Sequence, residues 1–237
     1  MNEYLNLEPS LVTNNRSNTF YEEISDSLKS CNRFYFSVAF INYSGLQLLL
    51  DLFSSLDNRK ATGKIITSTY LNFTDVKSLR KLQTFNNINT KIYIADRYKG
   101  FHTKGYIFEF DDYYKIIVGS SNITQSALKT NVEWNIKYIT KNKTEGFALE
   151  IIKEFNDLWD LTNEINEEFL LQYESFLNEV DKFVREENKI FEKSYEIKEN
   201  TMQKKALVNL QTLRENNQNK SFNNCCNRNR KNIFICF

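Results

Sequence analysis

The chain is 237 residues long, 41% hydrophobic and 14% aromatic, with six glycines and one proline, so it can bury a core and is neither fibrous nor linker-rich. A net charge of +1 points to no partner class, and no apolar run approaches the roughly 20 residues that span a bilayer. The opening residues, MNEYLNLEPS, lack the basic and apolar regions of a secretory signal, which leads us to expect a cytoplasmic protein. Cys31 stands by itself, while Cys225, Cys226 and Cys236 crowd the end without the paired, histidine-containing spacing of a metal site. Neither a metal nor another cofactor is expected.

In chain order, Phe20, Ile24 and Leu28 recur at helical spacing and predict a helix over 18–31. Residues 33–41 (RFYFSVAFI) are a continuous β-prone run of the kind buried on both faces of a sheet. Ser44 can cap a helix through Asp57, with Leu46, Leu49, Leu50 and Phe53 inward. Residues 63–68 predict a strand, 74–85 a helix capped by Thr74, and 90–95 a third strand. Strands that alternate with helices in this way imply parallel neighbours and covered faces. Residues 100–110 and 113–119, separated by Asp111 and Asp112, then read as a hairpin. A short helix after Asn122, a strand over 131–140, a helix over 144–162 and an acidic helical stretch over 163–200 complete the chain. Charge is segregated: residues 91–143 carry nine Lys and Arg against five Asp and Glu, whereas 150–200 carry six against fifteen.

The chemistry concentrates in FHTKGYIFEFDDYYKIIVGSSNITQSALKTNVEWNIKY. His102, the single histidine, and Lys104 are two apart, so within a strand both point to one face. The turn Gly119-Ser120-Ser121-Asn122 closes the next strand and opens a helix, where backbone N–H groups favour an anion. A histidine that attacks phosphorus, a lysine that holds phosphoryl oxygens and an asparagine that donates to them form a minimal kit for cutting a phosphodiester without a metal. Tyr106, Phe108 and Phe110 read as core or hairpin packing. Lys64, Lys91, Arg97, Lys99 and Lys129 are candidates for tracking a DNA backbone.

These residues resemble the signature of the phospholipase D superfamily: histidine, any residue, lysine, four residues, an acid, then a glycine-serine turn and asparagine. Here they are His102, Lys104 and Gly119-Ser120-Ser121-Asn122. The acid is Glu109 by distance from the lysine and Asp112 by distance from the glycine, because nine residues instead of the usual six follow Glu109. Glu133 resembles a glutamate that hydrogen-bonds the catalytic histidine in single-motif bacterial nucleases of this superfamily. The resemblance implies an α/β fold, a phospholipase-D-like mixed sheet flanked by helices with a helical C-terminal extension. It implies catalytic roles for His102, Lys104, Ser120, Asn122 and Glu133, with Ser121 a further candidate. In this superfamily two motifs meet, so a chain with one histidine implies a homodimer acting on DNA. The alternatives are a DNA-binding module that cuts weakly and a lipid phosphodiesterase; no basic amphipathic helix favours a membrane.

Residues 201–220 (TMQKKALVNLQTLRENNQNK) resemble the entry to the helicase core in DEAD/DEAH-type restriction and defence helicases with an N-terminal phospholipase-D-like domain. Codons that encode residues 221–237, read one base later, can give ALIIAATGTGKTYLSA, a strand and a nucleotide-binding glycine loop. The expected organisation is therefore a nuclease domain over 1–162, an acidic helical linker over 163–200, the start of a helicase domain over 201–220 and an out-of-frame tail over 221–237. The helicase core would be missing from this chain.

Overall fold

The structure, a computed structural model, describes residues 7–15, 19–96 and 98–194, with Lys204 and Val208. Arg97 and the segments expected to open a helicase domain and to form the tail lie outside these, apart from the two single residues. The chain divides into two compact units, Met1–Asp181 and Lys182–Phe237. In the second unit, the described residues are the last turns of a helix that ends at Ser194, plus Lys204 and Val208, both exposed.

The first unit is built on one eight-stranded sheet of order β1-β7-β6-β5-β2-β3-β4-β8. Its strands are β1 (Ser10–Val12), β2 (Arg33–Val38), β3 (Thr62–Ser68), β4 (Ile88–Tyr93), β5 (Lys104–Glu109), β6 (Tyr114–Gly119), β7 (Asn135–Thr140) and β8 (Asn163–Glu164). β2, β3 and β4 run parallel; every other pairing is antiparallel. The alternation of strands and helices up to β4, then the hairpin, thus yields the expected mixed sheet. The edge strands β1 and β8, three and two residues long, fall below what hydrophobic alternation reveals.

The helices are α1 (Phe20–Ser30), α2 (Tyr43–Leu46), α3 (Leu50–Asn58), α4 (Val76–Leu82), α5 (Gln125–Lys129), α6 (Gly146–Asp160) and α7 (Glu167–Ser194). α1 starts at a reciprocal capping box, Thr19 with Glu22. The helix expected from Ser44 is instead two short helices joined by a 3-10 turn at Gln47–Leu49, and Asn42 rather than Ser44 precedes it. Thr74 does not cap α4, because its hydroxyl donates to the Ser68 carbonyl at 2.8 Å. Asp75 caps instead: one carboxylate oxygen accepts from Ser78 N and the other from Tyr43 N, each at 2.7 Å.

Strand alternation divides the core. Phe34, Phe36, Tyr106, Phe108 and Ile117 pack with α1 and α3 on one face. Ile66, Ile107 and Ile116 pack with Ala148 and Phe155 of α6 on the other. On the α1 face, Glu23 accepts from Lys115 of β6 and Lys137 of β7, each at 2.9 Å. Burial acts to raise the Glu23 pKa, but Lys115 and then Lys137 outweigh it, so the carboxyl titrates below its ordinary 4.5. Stability from this group is present above that value and is lost as pH falls through the lowered pKa. Glu23→Gln, which leaves two lysines without their counter-ion, is expected to cost about 2–4 kcal/mol at neutral pH. Urea unfolding at neutral and strongly acid pH checks this: the gap between variant and wild type should close in acid.

Candidate active site

Three antiparallel strands end together at the site. Lys104 opens β5, Gly119 closes β6 beside it, and Asn135 opens β7 opposite Gly119. The chain enters from residues 101–103, which precede the strand: β5 begins at Lys104, paired with Val38, the last residue of β2. His102 is therefore on the loop leading into β5 and not on the strand itself. It is exposed, with the Tyr70 ring edge-on at 5.8 Å. Partial burial, and then the charge of Lys104, hold its pKa below the ordinary 6.5, which favours the neutral, nucleophilic imidazole. Behind it, Phe101 is buried against Tyr93 and Thr103 shares a 2.6 Å hydrogen bond with Ser37, so the loop is pinned on both sides of the histidine.

Lys104 is buried, and its ammonium donates to the His102 carbonyl at 3.0 Å. Burial lowers its pKa and the Glu133 carboxylate partly offsets this, so the two charges share one neighbourhood. Two ammonium protons remain for other acceptors. Asn122 is buried with Oδ1 accepting from Phe40 N at 3.3 Å, which assigns Nδ2 as the donor toward a bound oxyanion.

Three expectations change. Glu133 does not hydrogen-bond His102 within one chain; it accepts from Ser120 Oγ and from Asn131 Nδ2 at 3.4 Å, because the loop before β7 sets it over the β6 turn. The turn does not itself open a helix, since α5 begins only at Gln125. Ser120 N donates to Trp134 O at 3.1 Å and Ser121 N to Asn135 Oδ1 at 3.3 Å, while Thr124 caps α5. Glu109 and Asp112 stand at the far end of the hairpin: Glu109, five residues along β5 from Lys104 and so roughly 16 Å away, accepts from Tyr35 OH at 3.0 Å. The geometry therefore leaves neither acid at the histidine.

Among the basic candidates, Lys64 and Lys91 lie against the Trp159 ring, at 4.9 and 5.0 Å, and Lys91 pairs with Glu164 at 3.1 Å. They cover α6 and are not gathered at His102. Lys129 is exposed over Tyr21 at 4.7 Å, and Lys99 is exposed in the loop three residues before His102.

Two site residues escaped the sequence reading. Asn135, fully buried, grips Ser121 twice: Oδ1 accepts from its N–H and Nδ2 donates to its hydroxyl at 2.9 Å. Gly119 is required there, since a Cβ would overlap Asn135 and the Trp134 carbonyl. Tyr106, also fully buried, donates to the Ser121 carbonyl at 2.8 Å. The available signals were spacing: Tyr106 continues the alternation of His102 and Lys104, and Asn135 follows Glu133 by two. Asn135→Ala is expected to cost about 1–3 kcal/mol through the unpaired Ser121 groups and to lower turnover by loosening the turn that carries Asn122; thermal unfolding and kcat test the two effects.

The family profile described as "Cardiolipin synthase, PLD-like domain" matches residues 24–159, which include every residue placed at the site above. Among solved structures, the fold is similar to NucT from Helicobacter pylori at 15% identity, covering 67% of this chain and 99% of that one with a TM-score of 0.52. Phosphatidylserine synthase from Haemophilus influenzae Rd KW20 is similar at 15% identity and TM-score 0.53, covering 76% of this chain and 48% of that one. Nuc from Salmonella typhimurium, described as a phospholipase D family member, gives 16% identity, 68% and 100% coverage and a TM-score of 0.49. No curated protein sequence matches the chain.

Proposed function

The chain belongs to the phospholipase-D-like domain family, whose fold supports phosphodiester hydrolysis, and on that premise we propose that it is a metal-independent endonuclease that cuts DNA through a phosphohistidine, with one His102 from each of two subunits. The observation that carries this reading is the meeting of a neutral-leaning, exposed His102 with the buried Lys104 and Asn122 at one end of the sheet, in a chain with no second histidine.

In the proposed reaction, His102 Nε2 attacks phosphorus and forms a P–N bond as the P–O bond to the leaving strand breaks. The imidazolium of the partner subunit's His102 gives its proton to that leaving oxygen. The same imidazole, now neutral, takes a proton from water as the water attacks phosphorus and the P–N bond breaks. Lys104 and Asn122 hold the non-bridging oxygens. Glu133 and Ser120, bonded to each other, act on the turn that bears Asn122 and supply a carboxylate near Lys104.

The restriction or defence setting, with a helicase domain opening at 201–220 and a frameshifted tail from 221, is part of the same proposal. What supports it is the resemblance of residues 201–220 to a helicase entry, together with the compatibility of residues 221–237 with codons that encode a glycine loop one base later; the nucleotide sequence across codon 221 tests it.

The direct test of cleavage is plasmid nicking in EDTA by the wild type and His102→Ala. Nicking in EDTA that the variant loses supports the reading. Strict dependence on added metal, or an equally active variant, overturns it. The pH profile gives a second expectation. A pair of imidazoles works with one neutral and one protonated, so the rate peaks between the two apparent pKa values of the pair. Because the His102 pKa lies below 6.5 in the free protein, the maximum of kcat/KM is expected on the acid side of that value.

A further inference from the structure

Two loops at the catalytic end of the sheet carry large apolar side chains turned to solvent. β2, β3 and β4 finish at this end, and β5 and β7 begin there. The loop after β3 displays Leu71, 57% exposed, and Phe73, 53%; the loop before β7 displays Trp134, 70%. Both loops are joined to the catalytic side chains. Tyr70 sets its ring edge-on to His102, and Phe73 packs at 5.2 Å on Phe40, whose backbone N–H donates to Asn122 Oδ1. The Trp134 carbonyl accepts from Ser120 N and its N–H donates to Ser120 Oγ, each at 3.1 Å. In the sheet, β7 lies two strands to one side of β5 and β3 two strands to the other, so the strands that bear these loops flank β5 at about 10 Å each.

The loop after β3 is held in a costly conformation. Leu71 has a φ of 55° and Asn72 of 59°. A left-handed backbone is ordinary for asparagine and disfavoured for leucine, and it persists only where the surroundings fix it. Thr69 and Thr74 fix both ends: Thr69 Oγ1 accepts from Ala95 N at 3.0 Å, and Thr74 Oγ1 donates to the Ser68 carbonyl. Leu71 and Phe73 are thereby presented at the site and not folded into the core. The charge of the two loops narrows what they can meet. Residues 69–74 (TYLNFT) hold no charged side chain, and 130–135 (TNVEWN) hold only Glu133. A duplex turns its phosphates outward and is followed by cations, and a surface that binds anionic lipid is cationic as well. Uncharged walls with fixed rings suit a ligand that brings flat apolar faces to either side of a phosphate, as the bases of an unpaired strand do.

We propose that the substrate is an unpaired DNA strand lying across the strand ends, with bases on the two sides of the scissile phosphate stacked on Phe73 and Trp134; this rests on the reading of the site as a DNA phosphodiesterase and names the form of DNA it takes. Lys104 and Asn122 meet a phosphate that single and double strands share. The rings tell the two apart, because a paired base reaches them only by leaving its stack. Neither ring touches the reacting atoms. Both are positioning residues that set where the strand lies over His102.

The test uses the full chain in EDTA and three labelled oligodeoxynucleotides: a thymidine strand, the same strand annealed to its complement, and an abasic strand of equal length. Affinity is read by fluorescence anisotropy in the His102→Ala background, and cleavage by the wild type is read separately on gels. The thymidine strand is expected to bind about 10-fold more tightly than either of the others. Adding Phe73→Ala or Trp134→Ala should bring it down toward the abasic value, while Phe73→Tyr, which keeps a ring, retains the preference. Damage to the fold would instead weaken all three ligands alike. Equal binding of the three, unchanged by the alanine variants, overturns the stacking walls, and cleavage in EDTA by the wild type then leaves the nuclease reading standing. A base-dependent preference without any cleavage sinks the nuclease reading and keeps the walls. Co-sedimentation with phosphatidylglycerol–phosphatidylcholine vesicles that Phe73→Ala abolishes, with no discrimination between thymidine and abasic strands, assigns the rings to a membrane surface and overturns the proposal.

Discussion

His102→Ala is expected to lower phosphodiester turnover on the order of 10^5-fold, the scale on which the loss of a nucleophile acts when its partners cannot substitute for it. No other histidine exists in the chain to take over either the attack or the protonation of the leaving oxygen. The fold should not register the change, because the side chain is exposed and stands 5.8 Å from the Tyr70 ring; surface substitutions of this kind stay within about 0.5 kcal/mol. The variant also probes the shared site. When wild-type and His102→Ala subunits are unfolded together and refolded as a mixture, a mixed dimer holds one histidine and lacks either nucleophile or acid. Turnover should then follow the square of the wild-type fraction. A linear dependence would mean that each chain works by itself, and the two-histidine mechanism would fail with it.

What could be read from the sequence, and what could not, divides along the range of the interactions. His102, Lys104 and Asn122 were legible because their spacing at the entry to a strand and at a turn is a local property, although His102 falls just before the strand expected to carry it, and the hairpin between them follows from two β-prone runs about Asp111 and Asp112. The role of Glu133 depended on which side chain the β7 loop lays it against, a matter of register between β6 and β7, and Ser120 proved to be that partner within one chain. The choice between Glu109 and Asp112 likewise required knowing that β5 runs away from the site. Asn135 looked like one more polar residue at a strand start; its double grip on Ser121 exists only once Gly119 is paired opposite it. Lys64 read as a free cation because its lining partner, Trp159, is 95 residues away in sequence. The exposure of Val118 and Ile136 was equally hidden, since in sequence they share the alternation of the buried Ile116 and the half-buried Tyr138.

Lys104→Met is expected to separate function from stability, with opposite signs. Removing one charged donor from a phosphoryl site costs turnover about 10^2- to 10^3-fold. A residue placed there for structure would also cost stability when removed. Lys104 is different: it is buried on the face it shares with Tyr106, its ammonium donates to the His102 carbonyl at 3.0 Å, and burial pulls its pKa below the ordinary 10.5 with Glu133 offsetting part of the cost. Such a cation works against folding, and methionine keeps the length of the stem without the charge, so the unfolding free energy should be unchanged or higher. The pH dependence follows from the same shift. Since the folded-state pKa is below the unfolded value, the penalty is fully present at neutral pH and is relieved as pH rises from the folded pKa toward 10.5. The stability advantage of Lys104→Met should therefore shrink in alkali, while its loss of turnover persists. Thermal unfolding at neutral and alkaline pH, paired with kcat at neutral pH, reads both. Equal losses in stability and turnover would make Lys104 a structural residue and remove the main holder of the phosphoryl oxygens from the proposed mechanism.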